Sequence, residues 1–220
     1  MPQKKSAATF DAIMRSLKGG NYAPVYLLMG EEPYYIDQIS DYQTNALTPE
    51  QLAFDQTVVF GADVNAAQIA DLAMQYPMMS PRKVIIVKEA QGLHSFDRIE
   101  RYAEKPQEKT ILVICYKNGV LKGKTKLLAA VERNGVLFES KKLRDWQLAG
   151  YVRAYLSKMK IEIDEKGSAM IADHIGSDLN RLTSELDKLA IALPENDRRV
   201  TPEVIEKNIG VSKDFNAFEL

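Results

Sequence analysis

The sequence predicts an α/β protein: a parallel-sheet domain over residues 1–141, then a small all-helical domain over residues 142–213. Three observations carry this. Apolar, strand-like runs alternate with amphipathic helical segments as far as Lys141. Two of those runs, Lys83–Val87 and Thr110–Tyr116, are apolar almost throughout, as strands covered on both faces are. From Leu143 onward the strand signal stops and helical periodicity takes over.

The elements follow in order. Phe10, Ile13, Met14 and Leu17 recur at helical spacing, so Thr9–Lys18 reads as a helix capped by Thr9 or Asp11 and stopped by Gly19-Gly20-Asn21. PVYLLMG, ending at Gly30, is a buried strand. Pro33 suits a first helical turn and opens a helix through Ile36, Ile39 and Tyr42. Gln56–Phe60 is β-branched and strand-like. Asn65 starts a helix that places Ile69, Leu72, Ala73 and Tyr76 on one face and ends at Pro77. After the strand at Lys83 come a helix over Phe96–Ala103, the strand at Thr110, a helix over Thr125–Arg133 and a strand over Val136–Glu139. In the second domain Trp146, Ala149, Tyr151, Val152 and Tyr155 mark one helix. An extended link, Ile161–Asp164, leads to helices over Glu165–Ile175, Ser177–Leu193 and Thr201–Asn208.

Composition narrows the function. The 220 residues carry 29 Lys+Arg against 30 Asp+Glu, so a uniformly basic nucleic-acid binder is excluded and any DNA contact must be local. With 45% hydrophobic residues the chain folds rather than stays disordered. Cys115 is the single cysteine; inside ILVIC it reads as a buried, inert thiol, with no disulfide or cysteine-rich metal site. MPQKKSAATF lacks the apolar stretch of a secretory signal, and no run is long enough to span a membrane. A reducing, cytoplasmic location is expected.

A parallel α/β domain raises the question of a nucleotide. A phosphate-binding loop needs glycines, a lysine for the phosphates and a Ser/Thr for magnesium. The turn after the first strand is Gly30-Glu31-Glu32-Pro33, with one glycine, no lysine and two acids. Carboxylates there occupy the place a phosphate would take. The third strand runs IIVKEA, without the acidic pair that holds magnesium. No cofactor and no metal are expected.

Catalytic groups are equally sparse. His94 reads as an exposed turn residue and His174 as a cation at a helix C-terminus, neither at triad or ligand spacing. Glu31-Glu32, and Glu185 with Asp187, read as solvated acids. Glu185 and Lys188 read as a surface pair at i, i+3. The basic stretch Lys117, Lys122, Lys124, Lys126, continued by Lys141, Lys142 and Arg144, is either a solvated face or a contact for DNA phosphate.

Four segments in order resemble one family, the delta subunit of the bacterial DNA polymerase III clamp loader. PVYLLMGEEPYYIDQ resembles its opening strand, turn and helix. AMQYPMMSPRKVIIVKEA resembles its clamp-contacting segment and next strand. GSDLNRLTSELDKLA resembles the characteristic second-domain helix, with Gly176, Leu179, Leu182, Glu185, Leu186, Lys188 and Leu189 in place. DFNAFEL, residues 214–220, resembles the join into a third, collar domain.

The resemblance implies an AAA+-like sheet domain with a degenerate phosphate loop and a helical lid. It implies no ATPase activity in this subunit. Asn118, placed where active AAA+ proteins carry a sensor, then has nothing to sense. The implied role is to bind and open the sliding clamp (beta), alongside gamma/tau and delta prime subunits met through the collar, with DNA reached in the assembled holoenzyme. A chain stopping at Leu220 would be monomeric alone. The clamp contact implied is the apolar pair Met78-Met79, after Pro77 and before Ser80-Pro81-Arg82. Read from the residues alone, two bulky groups at a helix end either project as a wedge or cap the core under the sheet; thioethers adapt to irregular pockets. Two other readings are a phosphate-loop nucleotide hydrolase and an accessory DNA-binding protein.

Overall fold

In a computed structural model, residues 8–194 and 197–209 are described. The chain divides between Lys141 and Lys142 into two compact units.

The first unit alternates helices and strands: α1 (Phe10–Lys18), β1 (Val25–Gly30), α2 (Pro33–Tyr42), α3 (Pro49–Asp55), β2 (Gln56–Phe60), α4 (Ala66–Met74), β3 (Lys83–Lys88), α5 (Asp97–Glu104), β4 (Thr110–Lys117), α6 (Thr125–Asn134) and β5 (Val136–Ser140). The strands form one sheet in the order β2-β3-β4-β1-β5, every pairing parallel.

Side-chain alternation builds a core on each face of this sheet. Val25, Leu27, Ile85, Val87, Leu112 and Ile114 turn to one side, against α4, α5 and α6. Tyr26, Leu28, Val84, Ile86, Ile111 and Val113 turn to the other, against α1 and α2. Both faces are therefore dry, which is why these strands read as unbroken apolar runs. Cys115 is fully buried in the second cluster, and burial pushes its thiol up to about 11. Each buried Leu, Ile or Val contributes roughly 1.5–3 kcal/mol.

The caps are local chemistry. Thr9 Oγ1 accepts from the Ala12 N–H at 3.3 Å and starts α1. Asn65 Oδ1 accepts from the N–H groups of Ala67 and Gln68, both at 3.0 Å, while Gln68 Oε1 accepts from the Asn65 N–H. Between Tyr42 and Gln56, where the sequence shows no clear period, the chain forms a 3-10 turn, Gln43–Ala46, and then α3. Thr48-Pro49-Glu50-Gln51 carries that helix's start: a proline at the first turn, and Gln51 Oε1 accepting from the Thr48 N–H.

One helix end differs from expectation. α4 stops at Met74, not at Pro77, and Tyr76 is exposed rather than on the buried face. A proline at position 77 drives the preceding residue extended and would clash with the carbonyl four residues back, that of Ala73. That carbonyl instead accepts from Thr110 Oγ1 of β4 at 2.9 Å.

The second unit contains α7 (Asp145–Lys158), β6 (Glu162–Ile163), α8 (Glu165–Ile175), α9 (Leu179–Ala192), β7 (Arg199–Val200) and α10 (Pro202–Ile209). Its core is formed by Leu148, Val152, Leu156, Ile171, Leu182, Leu186, Leu189 and Ile205. The expectation of an all-helical domain needs one correction: β6 and β7 pair in parallel, and the Glu162 N–H donates to the Arg198 carbonyl at 2.8 Å. The short ladder satisfies backbone groups of two connections that helices cannot serve. Trp146 does not join the core of α7; it is 80% exposed. The proposed lid boundary at residue 213 and the collar segment 214–220 lie outside the described residues.

Candidate functional site

The segment from Met74 to Arg82 leaves α4 and enters β3 with its large apolar groups outward. Met78 is 79% exposed and Met79 60%, and Met74 and Tyr76 beside them are exposed too. Leaving four such groups in water is unfavourable unless a partner covers them.

A carboxylate that sequence reasoning did not single out holds this segment. Asp55, at the end of α3, is 1% exposed. Its Oδ1 accepts from the Met78 N–H at 2.5 Å, and its Oδ2 accepts from the N–H groups of Met79 and Ser80, each at 2.8 Å. Three successive backbone donors aimed at one carboxylate satisfy both oxygens. Burial pushes the Asp55 carboxyl up, but the bonds from Met78, Met79 and Ser80 outweigh it and hold it below the usual carboxylate range. The sequence signal is an acid directly before the β-branched run Gln56–Phe60.

Further bonds brace the ends. Gln51 Nε2 donates to the Met79 carbonyl at 3.4 Å, and the Ser80 hydroxyl donates to the Arg82 carbonyl. Arg82 is half-buried: its guanidinium lies 5.5 Å from the Tyr22 ring centroid and donates to the Tyr22 carbonyl at 3.4 Å. Lys83 Nζ donates to Gln75 Oε1 at 2.8 Å. Pro77 is partly buried. Of the five residues singled out here, then, Met78 and Met79 are presented, while Ser80 and Arg82 bind back to the protein.

The turn after β1 has its donors occupied. Gly30 and Gly119 exchange backbone hydrogen bonds, Gly30 donating at 2.7 Å and Gly119 at 3.0 Å. The Glu31 N–H donates to the Ser140 carbonyl at 3.1 Å and the Glu32 N–H to the Ser140 hydroxyl at 3.2 Å. Glu32 is buried, which corrects its reading as a solvated acid. Its carboxylate caps α2, accepting from the Tyr34 N–H at 3.1 Å. Glu31 is exposed, as expected.

Lysines stand at the C-terminal ends of β3 and β4. Lys88 Nζ lies 2.8 Å from Asp41 and 3.5 Å from Asp37. Lys117 Nζ lies 2.9 Å from Asp37 and 3.3 Å from Glu89. Burial pulls both ammoniums down, but the carboxylates (Asp41 first for Lys88, Asp37 first for Lys117) raise them above their ordinary value. Lys117 is thus engaged inside the protein. Lys124 pairs with Asp97 at 3.0 Å, whereas Lys122, Lys126, Lys141, Lys142 and Arg144 are exposed. Asn118 is exposed, with φ of 61°.

His94 and His174 are both exposed. Glu185 and Lys188 pair at 2.8 Å on the surface of α9, and Asp187 accepts from the Tyr155 hydroxyl at 2.9 Å. Among the described residues no group of three or more His, Cys, Asp or Glu could hold a metal ion, and no helix is long and apolar enough to cross a membrane.

A five-stranded parallel sheet in this order, with a closed turn at the phosphate-loop position, defines an AAA+-like α/β fold. The same fold appears in a variant of the Thermotoga maritima RuvB protein, 17% identical with a TM-score of 0.51, over 91% of this chain and 65% of that one. The pattern of the family described as DNA polymerase III, delta subunit matches residues 26–141, and the chain belongs to that family. A curated relative, the DNA polymerase III subunit delta of Bacillus subtilis (strain 168), is 23% identical over 94% of this chain and 63% of its own length. The solved structure of the Bacillus subtilis DNA clamp loader delta protein (YqeN) superposes with a TM-score of 0.78 at 20% identity, covering 93% of this chain and 63% of that one. The chain therefore spans under two thirds of the length of these two Bacillus relatives.

Proposed function

We propose that this chain is the clamp-binding part of a clamp-loader delta subunit. It grips one face of a ring-shaped sliding clamp and holds one ring interface open, so that the ring can be placed on primed DNA during replication. The observation that carries this is the exposed Met78-Met79 pair, held outward between α4 and β3. An apolar pair with a polar rim suits a concave apolar pocket on a protein partner. Membership of the delta family supports the choice of a clamp as that partner.

The chain works without hydrolysing ATP. Two supports are the occupied N–H groups of the turn after β1 and the paired lysines where magnesium ligands would stand. Its place is within a DNA polymerase III holoenzyme, a cytoplasmic nucleotidyltransferase assembly, with gamma/tau and delta prime subunits joined through a collar domain. DNA contact, where it occurs, falls to Lys122 and Lys126, because Lys117 and Lys124 are engaged with acids.

Gel filtration of the chain with its cognate sliding clamp tests the reading. Co-elution at micromolar concentration is expected, and the double variant Met78→Ala, Met79→Ala elutes separately while melting as the parent does. Separate elution of the parent at tens of micromolar would sink the clamp reading. A thermal upshift with ATP and magnesium would instead point to a nucleotide hydrolase.

A further inference from the structure

We propose that Asp55 is the positioning residue for the apolar pair: its carboxylate fixes the Met78–Ser80 backbone so that both thioethers face solvent before any partner arrives. The proposal rests on reading Met78-Met79 as the clamp contact and adds how that contact is prepared. Three bonds carry it, at 2.5, 2.8 and 2.8 Å, from consecutive N–H groups to a side chain that is 1% exposed. The eight-residue connection from Gln75 to Arg82 would otherwise sample many conformations, several burying the methionines against the protein. Ordering it in the free protein removes that cost from the binding step. Gln51, one helical turn before Asp55 on α3, restrains the Met79 carbonyl and completes the clasp.

Aspartate is specifically suited. Asparagine has the same shape, yet offers one oxygen where the segment presents three donors, and its amide group points a donor at a donor. Asp55→Asn should therefore fail although it leaves no cavity.

Three measurements decide it. Amide hydrogen exchange in the free full chain should show Met78, Met79 and Ser80 protected in the parent and fast in Asp55→Asn and Asp55→Ala. Calorimetric titration with the clamp should show Asp55→Asn weakened at least about tenfold, the scale of losing one charge-assisted bond. NMR on the parent alone covers the case in which the variants do not fold. There the three amide protons should titrate together with one carboxyl that lies below the ordinary carboxylate range.

Parent-like exchange, parent-like affinity in Asp55→Asn, or amides that ignore that titration would each overturn the proposal. Failure of the clamp reading looks different: the parent itself does not bind, while the exchange contrast between parent and variant persists.

Discussion

Gly30 sits at φ of 137°, at the end of β1, with a backbone that only glycine adopts without strain. A Cβ there would also run into the Ser140 backbone and hydroxyl. Gly30→Ala should therefore cost at least about 2 kcal/mol, read as a lower urea midpoint. Asp55 gives a pH-dependent counterpart. Its carboxyl is held below the usual range in the folded chain, so its contribution is present above the unfolded value of about 3.9. The contribution is lost as pH falls through the lower folded value. The stability gap between the parent and Asp55→Asn should thus be full at neutral pH and shrink in acid below about pH 4. A gap unchanged down to the acid limit would contradict the carboxylate's role. Trp146 offers a plain check on the second unit: 80% exposed, and the only tryptophan, it should be quenched by iodide in the native chain nearly as well as in urea.

Among elements, α2 is tied to the sheet in an unequal way. Asp37 serves both Lys88 and Lys117, with a side chain 30% exposed, whereas Asp41 serves Lys88 alone and is 69% exposed. Removing Asp37 leaves partly buried ammoniums short of a partner; removing Asp41 mostly removes a solvated contact. Asp37→Ala should lower the melting temperature more than Asp41→Ala, with the difference narrowing when Lys117→Ala is combined with each. The connection from α4 to β3 follows the same logic of satisfied groups. Pro77 denies the helix its next turn, Thr110 takes the freed Ala73 carbonyl, and Asp55 takes the N–H groups of Met78, Met79 and Ser80.

At the scale of the molecule, the first unit closes its own core on both sheet faces. A fragment of residues 1–141 should unfold cooperatively and retain the proposed clamp contact, measured by denaturation and gel filtration; loss of both would tie its folding to the second unit. Much of this architecture was legible because its causes are local. Dry strands have to be apolar throughout, so β1, β3 and β4 announced themselves, and the strands and helices alternated as a parallel sheet requires. The exposure of Met78 and Met79 was legible as well, as two bulky apolar residues directly after a proline. Less was visible where one residue's role depends on another distant in sequence. Glu32 looked solvated because its capping of α2 is invisible in a list of acids, and Tyr76 looked buried because helical spacing continued past the true helix end. Lys117 looked like one of several basic residues until Asp37 and Glu89 came within reach of it. The two-residue strands β6 and β7 carry too few residues for any period to show.

The sequence by itself determined the class of fold, the change of pattern near Lys141, the absence of a lysine in the turn after β1, and the position of the apolar pair. These rest on periodicity and residue type, which adjacent residues express together. Only the tertiary structure decided that the turn's N–H groups are taken by Gly119 and Ser140, and that Asp55 holds Met78 and Met79 outward. Ser140 is 108 residues from Glu32, and Asp55 is 23 from Met78. Hydrogen bonds over such separations exist only once the sheet has brought their partners together.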